Sequence, residues 1–254
     1  MTIMTPPMLG HGEPPVYCTF AGLTALGVPH LTTTRHCADI GRAGAERSPF
    51  NGSAMDVLER VGLSPGRVAW ARQVHGADVA RVDGGGGFAG HVDVLATDVR
   101  GVPLAIFTAD CLAIILVDRE APALAVAHAG WRGTARRTAQ AAVAAVIAAG
   151  ARPERLHAAI SPSIGPCCYE IDAPVIDALA AAYPQDWRSW VTPTARAGHF
   201  MLDLWAANTT LLTEAGLDPA RIENPRVCTA CGLDTFYSYR KGHRGRLATV
   251  AALP

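Results

Sequence analysis

Lysine is almost missing: Lys241 is the one lysine among 22 basic residues in a chain of 254, and 22 acidic residues cancel the charge. With zero net charge and no basic block or basic stripe interleaved with aromatics, the chain lacks what holds a nucleic-acid polyanion. The skew toward arginine, beside the high alanine and glycine content, reads as genome composition and carries no mechanism. Long apolar runs are missing too. The Ala-rich stretch near 138–149 is too short to span a bilayer and continues from an Arg-bearing segment, so no membrane partner is expected. The opening MTIMTPPMLGHGEPP has neither a basic n-region nor a sustained apolar h-region; it predicts a flexible tail over 1–15, not a signal peptide, and a cytoplasmic location by default. Seven cysteines are present, an odd number, and without a secretory signal they read as thiols, ligands or core residues and not as a disulfide framework. What remains is a soluble protein, a monomer or small homo-oligomer, whose expected partner is a small molecule.

Half of the residues are apolar, ample for a core, and no linker, repeat or low-complexity break divides residues 16–254. One α/β domain is expected, with helices covering a mixed sheet. Its centre is Pro103–Thr134. Apolar, β-branched-rich runs at 104–108 and 112–117 lie either side of Ala109-Asp110-Cys111, and a third at 123–127 ends at His128 before a glycine-bounded turn. His75 follows a predicted strand over 67–74, which also delivers Gln73, and precedes Gly76. If these strands are neighbours, His75, Cys111 and His128 converge as one thiol and two imidazoles, a known catalytic zinc arrangement with an open fourth position. Taken singly, each has a plainer reading as a solvent-facing imidazole or a small buried thiol. Their spacings of 36 and 17 residues do not suit a zinc ribbon or finger, whose ligands come in close pairs.

Elsewhere the pattern predicts a helix over about 54–62 capped by Ser53 and one helix from Thr134 to Ala149 stopped by Gly150. It also predicts a strand over 156–161, helices over 173–183 and 203–216, the latter capped by Asp203, and two short strands in the C-terminal segment. Cys228-x-x-Cys231 would need a second pair for a closed zinc site; the adjacent Cys167-Cys168 has the wrong spacing, so the motif is read as metal-free. The strand-like sequence after Cys231 argues against a redox role. His128 to Thr134 carries more. Two glycines allow close backbone approach, a helix N-terminus offers unpaired N–H groups, and Arg132 adds a guanidinium, together an anion site suited to phosphate. The plainer alternative is an ordinary strand–helix turn with a solvent-facing arginine.

Arg72-Gln73-Val74-His75-Gly76, Thr108-Ala109-Asp110-Cys111, His128-Ala129-Gly130-Trp131-Arg132-Gly133, Gly165-Pro166-Cys167-Cys168-Tyr169-Glu170, Phe236-Tyr237-Ser238-Tyr239-Arg240 and Gly245-Arg246 occur in this order. This set resembles the purine nucleoside phosphorylases of the laccase-domain, YfiH-like family, from about residue 67 to the C-terminus. The N-terminal part departs from the family pattern: Arg35 is followed by His36-Cys37-Ala38-Asp39 and not by a glycine-rich loop. The resemblance implies a single domain folded as a layered α/β/β/α sandwich with mixed sheets, and zinc held by His75, Cys111 and His128. It further implies phosphorolysis of adenosine, inosine, guanosine and S-methyl-5′-thioadenosine, with adenosine deamination as a second activity.

For phosphorolysis, phosphate attacks the ribose C1′ as the glycosidic bond loosens. Arg132 with the 130–134 amides is the expected cradle, and Arg240 and Arg246 are its expected helpers. Cys111, Asp110 and Arg132 are the catalytic candidates; Gln73, Arg132, Gly133, Ser238, Arg240 and Arg246 are the substrate-binding candidates. For deamination the same open zinc would lower the pKa of water to about 7 and direct hydroxide at C6 of adenine. Older family labels carry a competing reading as a copper-dependent polyphenol oxidase, so copper is the alternative metal. Multicopper electron transfer needs many histidines around several metals, and the sequence offers one three-ligand set. A non-catalytic or cell-wall-editing partner protein is the third reading, and nothing in the composition speaks for it.

Overall fold

The computed structural model describes residues 8–41, 43–45 and 47–254. Strands run in chain order as β1 (Met8–His11), β2 (Tyr17–Phe20), β3 (His30–Thr33), β4 (Ala69–Trp70), β5 (Val79–Arg81), β6 (Gly87–Phe88), β7 (Val94–Thr97) and β8 (Leu104–Thr108). They continue as β9 (Leu112–Asp118), β10 (Ala123–Ala129), β11 (His157–Ile160), β12 (Glu170–Ile171), β13 (Val191–Pro193), β14 (Phe200–Leu202), β15 (Ile222–Glu223) and β16 (Leu247–Ala251). The helices are α1 (Ala21–Ala25), α2 (Gly52–Arg60), α3 (Trp131–Ala135), α4 (Thr138–Ala148), α5 (Ala173–Ala182) and α6 (Leu204–Glu214).

Two sheets stack face to face. One has the order β1-β2-β3-β16-β8-β4-β6, the other β15-β11-β9-β10-β7-β5, and a small sheet β12-β14-β13 stands apart. Both large sheets are mixed, with β4 parallel to β8 and β5 parallel to β7 among otherwise mostly antiparallel pairs. The period of two in side-chain direction sorts each central strand into two layers. Leu112, Ile114 and Leu116 of β9 pack with α4 and α6, while Ala113, Ile115 and Val117 pack between the sheets. On β8, Leu104 and Ile106 face that same inter-sheet layer, and Ala105 and Phe107 meet Val57 and Leu58 of α2. The order is therefore helix, sheet, sheet, helix, the α/β/β/α arrangement. It explains why β8, β9 and β10 read as unbroken apolar runs: they are covered on both faces.

Several sequence expectations need correcting. The tail expected over 1–15 lies partly outside the described residues; from Met8 to His11 the chain is strand, because its backbone pairs antiparallel with Tyr17–Phe20. The strand expected over 67–74 is paired as strand only at Ala69–Trp70, because from Gln73 onward the chain turns into the loop that carries His75. Ser53 lies inside α2, whose N-cap is Asn51, and its hydroxyl donates instead to Asp39. The helix expected from Thr134 to Ala149 is two helices, parted at Arg137, which takes a left-handed φ of 65°. That break lets the Thr138 hydroxyl reach both the Gly76 and the Gly133 carbonyls, at 2.6 and 2.9 Å. The Asp203 cap stands as expected, its carboxylate accepting from the Ala206 N–H at 2.9 Å. After Cys231 the chain forms successive turns, with no strand until Leu247.

Candidate metal centre and active site

The antiparallel register sets His128, near the end of β10, opposite Ala113 at the start of β9. Cys111, just before β9, thus meets His128 at one end of the sandwich. His75 arrives from the loop after β4 with a left-handed φ of 59°, a conformation costing a non-glycine residue roughly 1–2 kcal/mol. The surroundings hold it there. Asp93, fully buried, accepts the N–H groups of Val74, His75 and Gly76 at 3.0, 2.9 and 2.7 Å. Arg136 donates to the His75 carbonyl at 2.8 Å. The ligand atoms of His75, Cys111 and His128 consequently all lie within 4.8 Å of one another.

The site also depends on a missing side chain. A Cβ at Gly130 would stand 2.5 Å from the Cys111 sulfur, so only glycine leaves the thiol its place.

Electrostatics prepare these groups for a cation. Burial pushes the Cys111 thiol up, but the charge of His128 and hydrogen bonds from both histidines bring it down to about 6. Burial pushes His128 down, and the Cys111 thiolate and Asp93 together raise it to about 9. Burial likewise raises the Asp93 carboxyl, yet the hydrogen bonds from His128 and the Gly76 N–H hold it below the usual carboxylate value. His128 Nδ1 sits 2.7 Å from Asp93 Oδ1, which leaves Nε2 as the ring nitrogen free to ligate. A carboxylate behind a ligating histidine is the usual means of fixing its tautomer. A soft thiolate and two imidazoles, so oriented, fit a tetrahedral divalent ion with a fourth position to spare.

The remaining candidates divide sharply. The Asp110 carboxylate is engaged at both oxygens: Thr229 donates to Oδ1 at 2.7 Å, and Ser238 Oγ and the Arg240 N–H donate to Oδ2 at 3.0 and 2.7 Å. It braces the C-terminal loop, and Ser238, fully buried, is part of that brace. The Gln73 amide pairs at both ends with the Phe107 backbone, at 2.7 and 2.8 Å, and so acts as a strut between β8 and the His75 loop. Gly133 is buried where a Cβ would press on Thr138 Oγ1 at 2.9 Å. Arg246 is turned onto the carbonyls of Arg244 and Gly245. Arg132 is exposed, its guanidinium 4.2 Å over the Trp131 ring. Arg240 lies 4.9 Å over the Tyr169 ring. Burial pushes the Tyr169 hydroxyl up; the charges of Cys111 and Asp110 push the same way, and those of Arg240 and Arg132 oppose them. Because α3 has five residues, its helix dipole is small, and the positive charge in this region resides on the guanidiniums.

Asp93, Tyr169 and Arg136 escaped the sequence reading. Asp93 left a signal as an acid inside the apolar run 92–96, and Tyr169 lay in the Gly165–Glu170 motif; Arg136 left none.

Fold and centre together define a layered α/β protein with a two-histidine, one-cysteine candidate metal site at the end of its inter-sheet core. The family described as multi-copper polyphenol oxidoreductase laccase matches residues 49–254, and the chain belongs to that family. A purine nucleoside phosphorylase of Deinococcus radiodurans is 35% identical over 246 residues, covering 90% of each chain. The adenosine deaminase RL5 of an unknown prokaryotic organism is 38% identical over 150 residues, 59% of this chain and 57% of that one. Among solved structures, the YfiH protein of Bacillus licheniformis superposes with a TM-score of 0.85 at 26% identity, covering 94% of this chain and 97% of that one.

Proposed function

We propose that the protein is a zinc-dependent purine nucleoside phosphorylase that also deaminates adenosine. Its substrates are adenosine, inosine, guanosine and S-methyl-5′-thioadenosine, with phosphate or water as co-substrate. The observation that carries this reading is the convergence of His75, Cys111 and His128 within 4.8 Å, braced by Asp93. The names of the relatives at 35% and 38% identity supply the substrate class.

When bound by those three residues, zinc supplies Lewis-acid polarisation in its open position. The chain does the rest. Arg132 and Arg240 bind phosphate by charge-assisted bonds and aim it at C1′ as the bond to the base breaks, giving ribose 1-phosphate and free base. Asp110 is a positioning residue: its carboxylate fixes the Arg240 backbone and the loop through Ser238. The Asp93–His128 pair holds the ring in one tautomer and keeps negative charge behind it.

The family description favours a second reading, copper-dependent oxidation of phenols. Among the described residues one cluster alone combines histidine with cysteine, which suits a single ion better than a multicopper chain. Metal analysis of the purified protein, followed by incubation with adenosine with and without phosphate, tests the proposal. Free adenine and ribose 1-phosphate that appear only with phosphate, together with inosine that needs none, are expected. Stoichiometric copper with phenol turnover and no nucleoside conversion would overturn it.

A further inference from the structure

We propose that Cys167, Cys168, Cys228 and Cys231 bind a second zinc ion as a closed tetrathiolate that ties together the two loops beside the His75–Cys111–His128 centre. All four sulfurs lie within 4.8 Å of one another. Cys231 Sγ is 3.5 Å from that of Cys167 and 3.4 Å from that of Cys168. Four bonds of about 2.3 Å from one tetrahedral ion set sulfurs roughly 3.8 Å apart, so these separations are those of a ligand shell. This corrects the expectation that Cys167 and Cys168, being adjacent, could not complete the Cys228-x-x-Cys231 pair.

Two turns make the closure possible. In the first, the N–H groups of Cys168 and Tyr169 both donate to the Gly165 carbonyl, at 3.0 and 3.1 Å, and this bend brings neighbouring thiols to the same ion position. Glycine is required at its head, since a Cβ at Gly165 would stand 2.4 Å from the Trp205 ring. In the second, Cys231 and Gly232 donate backbone N–H to the Cys228 carbonyl, at 3.3 and 3.0 Å. The two turns are laced together: Gly165 N–H donates to Cys228 Sγ at 3.2 Å, and Ser163 pairs with Cys228 as a parallel bridge. Amide donors aimed at sulfur stabilise a thiolate, and a set of four thiolates, without nitrogen or oxygen ligands, selects a soft tetrahedral ion. Each thiol gives its proton to solvent as the sulfur binds, with no change of oxidation state.

The clamp has a purpose visible in its neighbours. Thr229, inside the second turn, donates to Asp110 at 2.7 Å, one residue from Cys111. Tyr169, directly after Cys168, stacks under Arg240 at 4.9 Å. With four ligands from the protein, no position is left for substrate, so the ion's role is structural.

The test uses the full chain carrying Cys111→Ala, which removes the first centre and with it any dependence on the function proposed above. That protein should retain about one zinc per chain, and exchange with Co2+ should give the intense near-ultraviolet thiolate-to-metal absorption of a four-sulfur site. Adding Cys167→Ser, at an exposed position that spares the fold, should weaken that absorption by about a quarter and loosen the metal. Adding Cys228→Ser and Cys231→Ser should abolish both signals. A Cys111→Ala protein free of zinc and unresponsive to Co2+ would overturn the proposal. So would an intact mass 2 or 4 Da low from protein kept under reductant, which would assign these cysteines to disulfides.

Discussion

The His75–Cys111–His128 centre and the four-cysteine cluster are joined through Asp110, yet they are built in opposite ways. The first hangs on strand ends: β9 begins at Leu112 and β10 ends at Ala129, and the register of two buried strands places the thiol and the imidazole. The second hangs on turns alone, with no strand or helix running through any of its four cysteines. Position in the first is set by the sandwich core. Position in the second is set by backbone hydrogen bonds between loops and, on the proposal above, by its ion. Removing metal should therefore leave the first site in shape and loosen the loops of the second.

The largest expected effect strikes the brace of the first centre. Asp93→Asn keeps the size but turns one of the two carboxylate oxygens, each accepting two hydrogen bonds, into a donor facing N–H groups. Loss of a carboxylate behind a metal-bound histidine typically costs about 10–100-fold in metal affinity or activity, and nucleoside turnover should fall by that much. Zinc in the cysteine cluster should be unchanged. Chelator competition on parent and variant reads both, and equal loss from the two sites would break the distinction between them.

How far each site could be read from the sequence follows from the same contrast. Cys111 and His128 were legible because continuous apolar runs end at them, and such runs announce strands covered on both faces. Cys167 and Cys168 were not, since local spacing says nothing about a turn whose carbonyl at Gly165 gathers two successive N–H groups. Gln73 and Ser238 sat in matching motifs, but only the structure shows their polar atoms spent on Phe107 and Asp110. The break at Arg137 was hidden as well, because an Ala-rich stretch has helix propensity throughout, and the tertiary bonds of Thr138 override it.

A middle-sized effect is expected at Arg132, which touches neither cluster. Arg132→Lys keeps the charge but loses the planar two-bond contact with an oxyanion. Phosphorolysis at subsaturating phosphate should fall by about tenfold, from one lost charge-assisted contact. Deamination should fall less, and the metal content of both clusters should hold. Unchanged phosphorolysis would mark the residue as an ordinary surface arginine stacked on Trp131.

The smallest effect separates two buried histidines, His128 in the centre and His30 outside it. His30 Nε2 accepts from the Phe20 N–H at 2.7 Å and Nδ1 donates to the Val28 carbonyl at 2.8 Å, so the ring is neutral. Burial depresses its pKa below the ordinary 6.5, and no carboxylate or thiolate opposes it as at His128. The unfolded chain then takes up a proton that the fold refuses. His30 therefore leaves stability intact above pH 6.5 and erodes it as the pH falls below that value. Without metal, His128 works in the other direction: raised to about 9, it contributes fully below 6.5 and loses that contribution as the pH rises through 9. Urea unfolding at pH 7.5 and 5.5 should show the parent losing more stability than His30→Gln, the limit for one proton being about 1.4 kcal/mol per pH unit. Parallel losses in parent and variant would mean that His30 is protonated within the fold, and that burial alone does not distinguish it from the histidine of the centre.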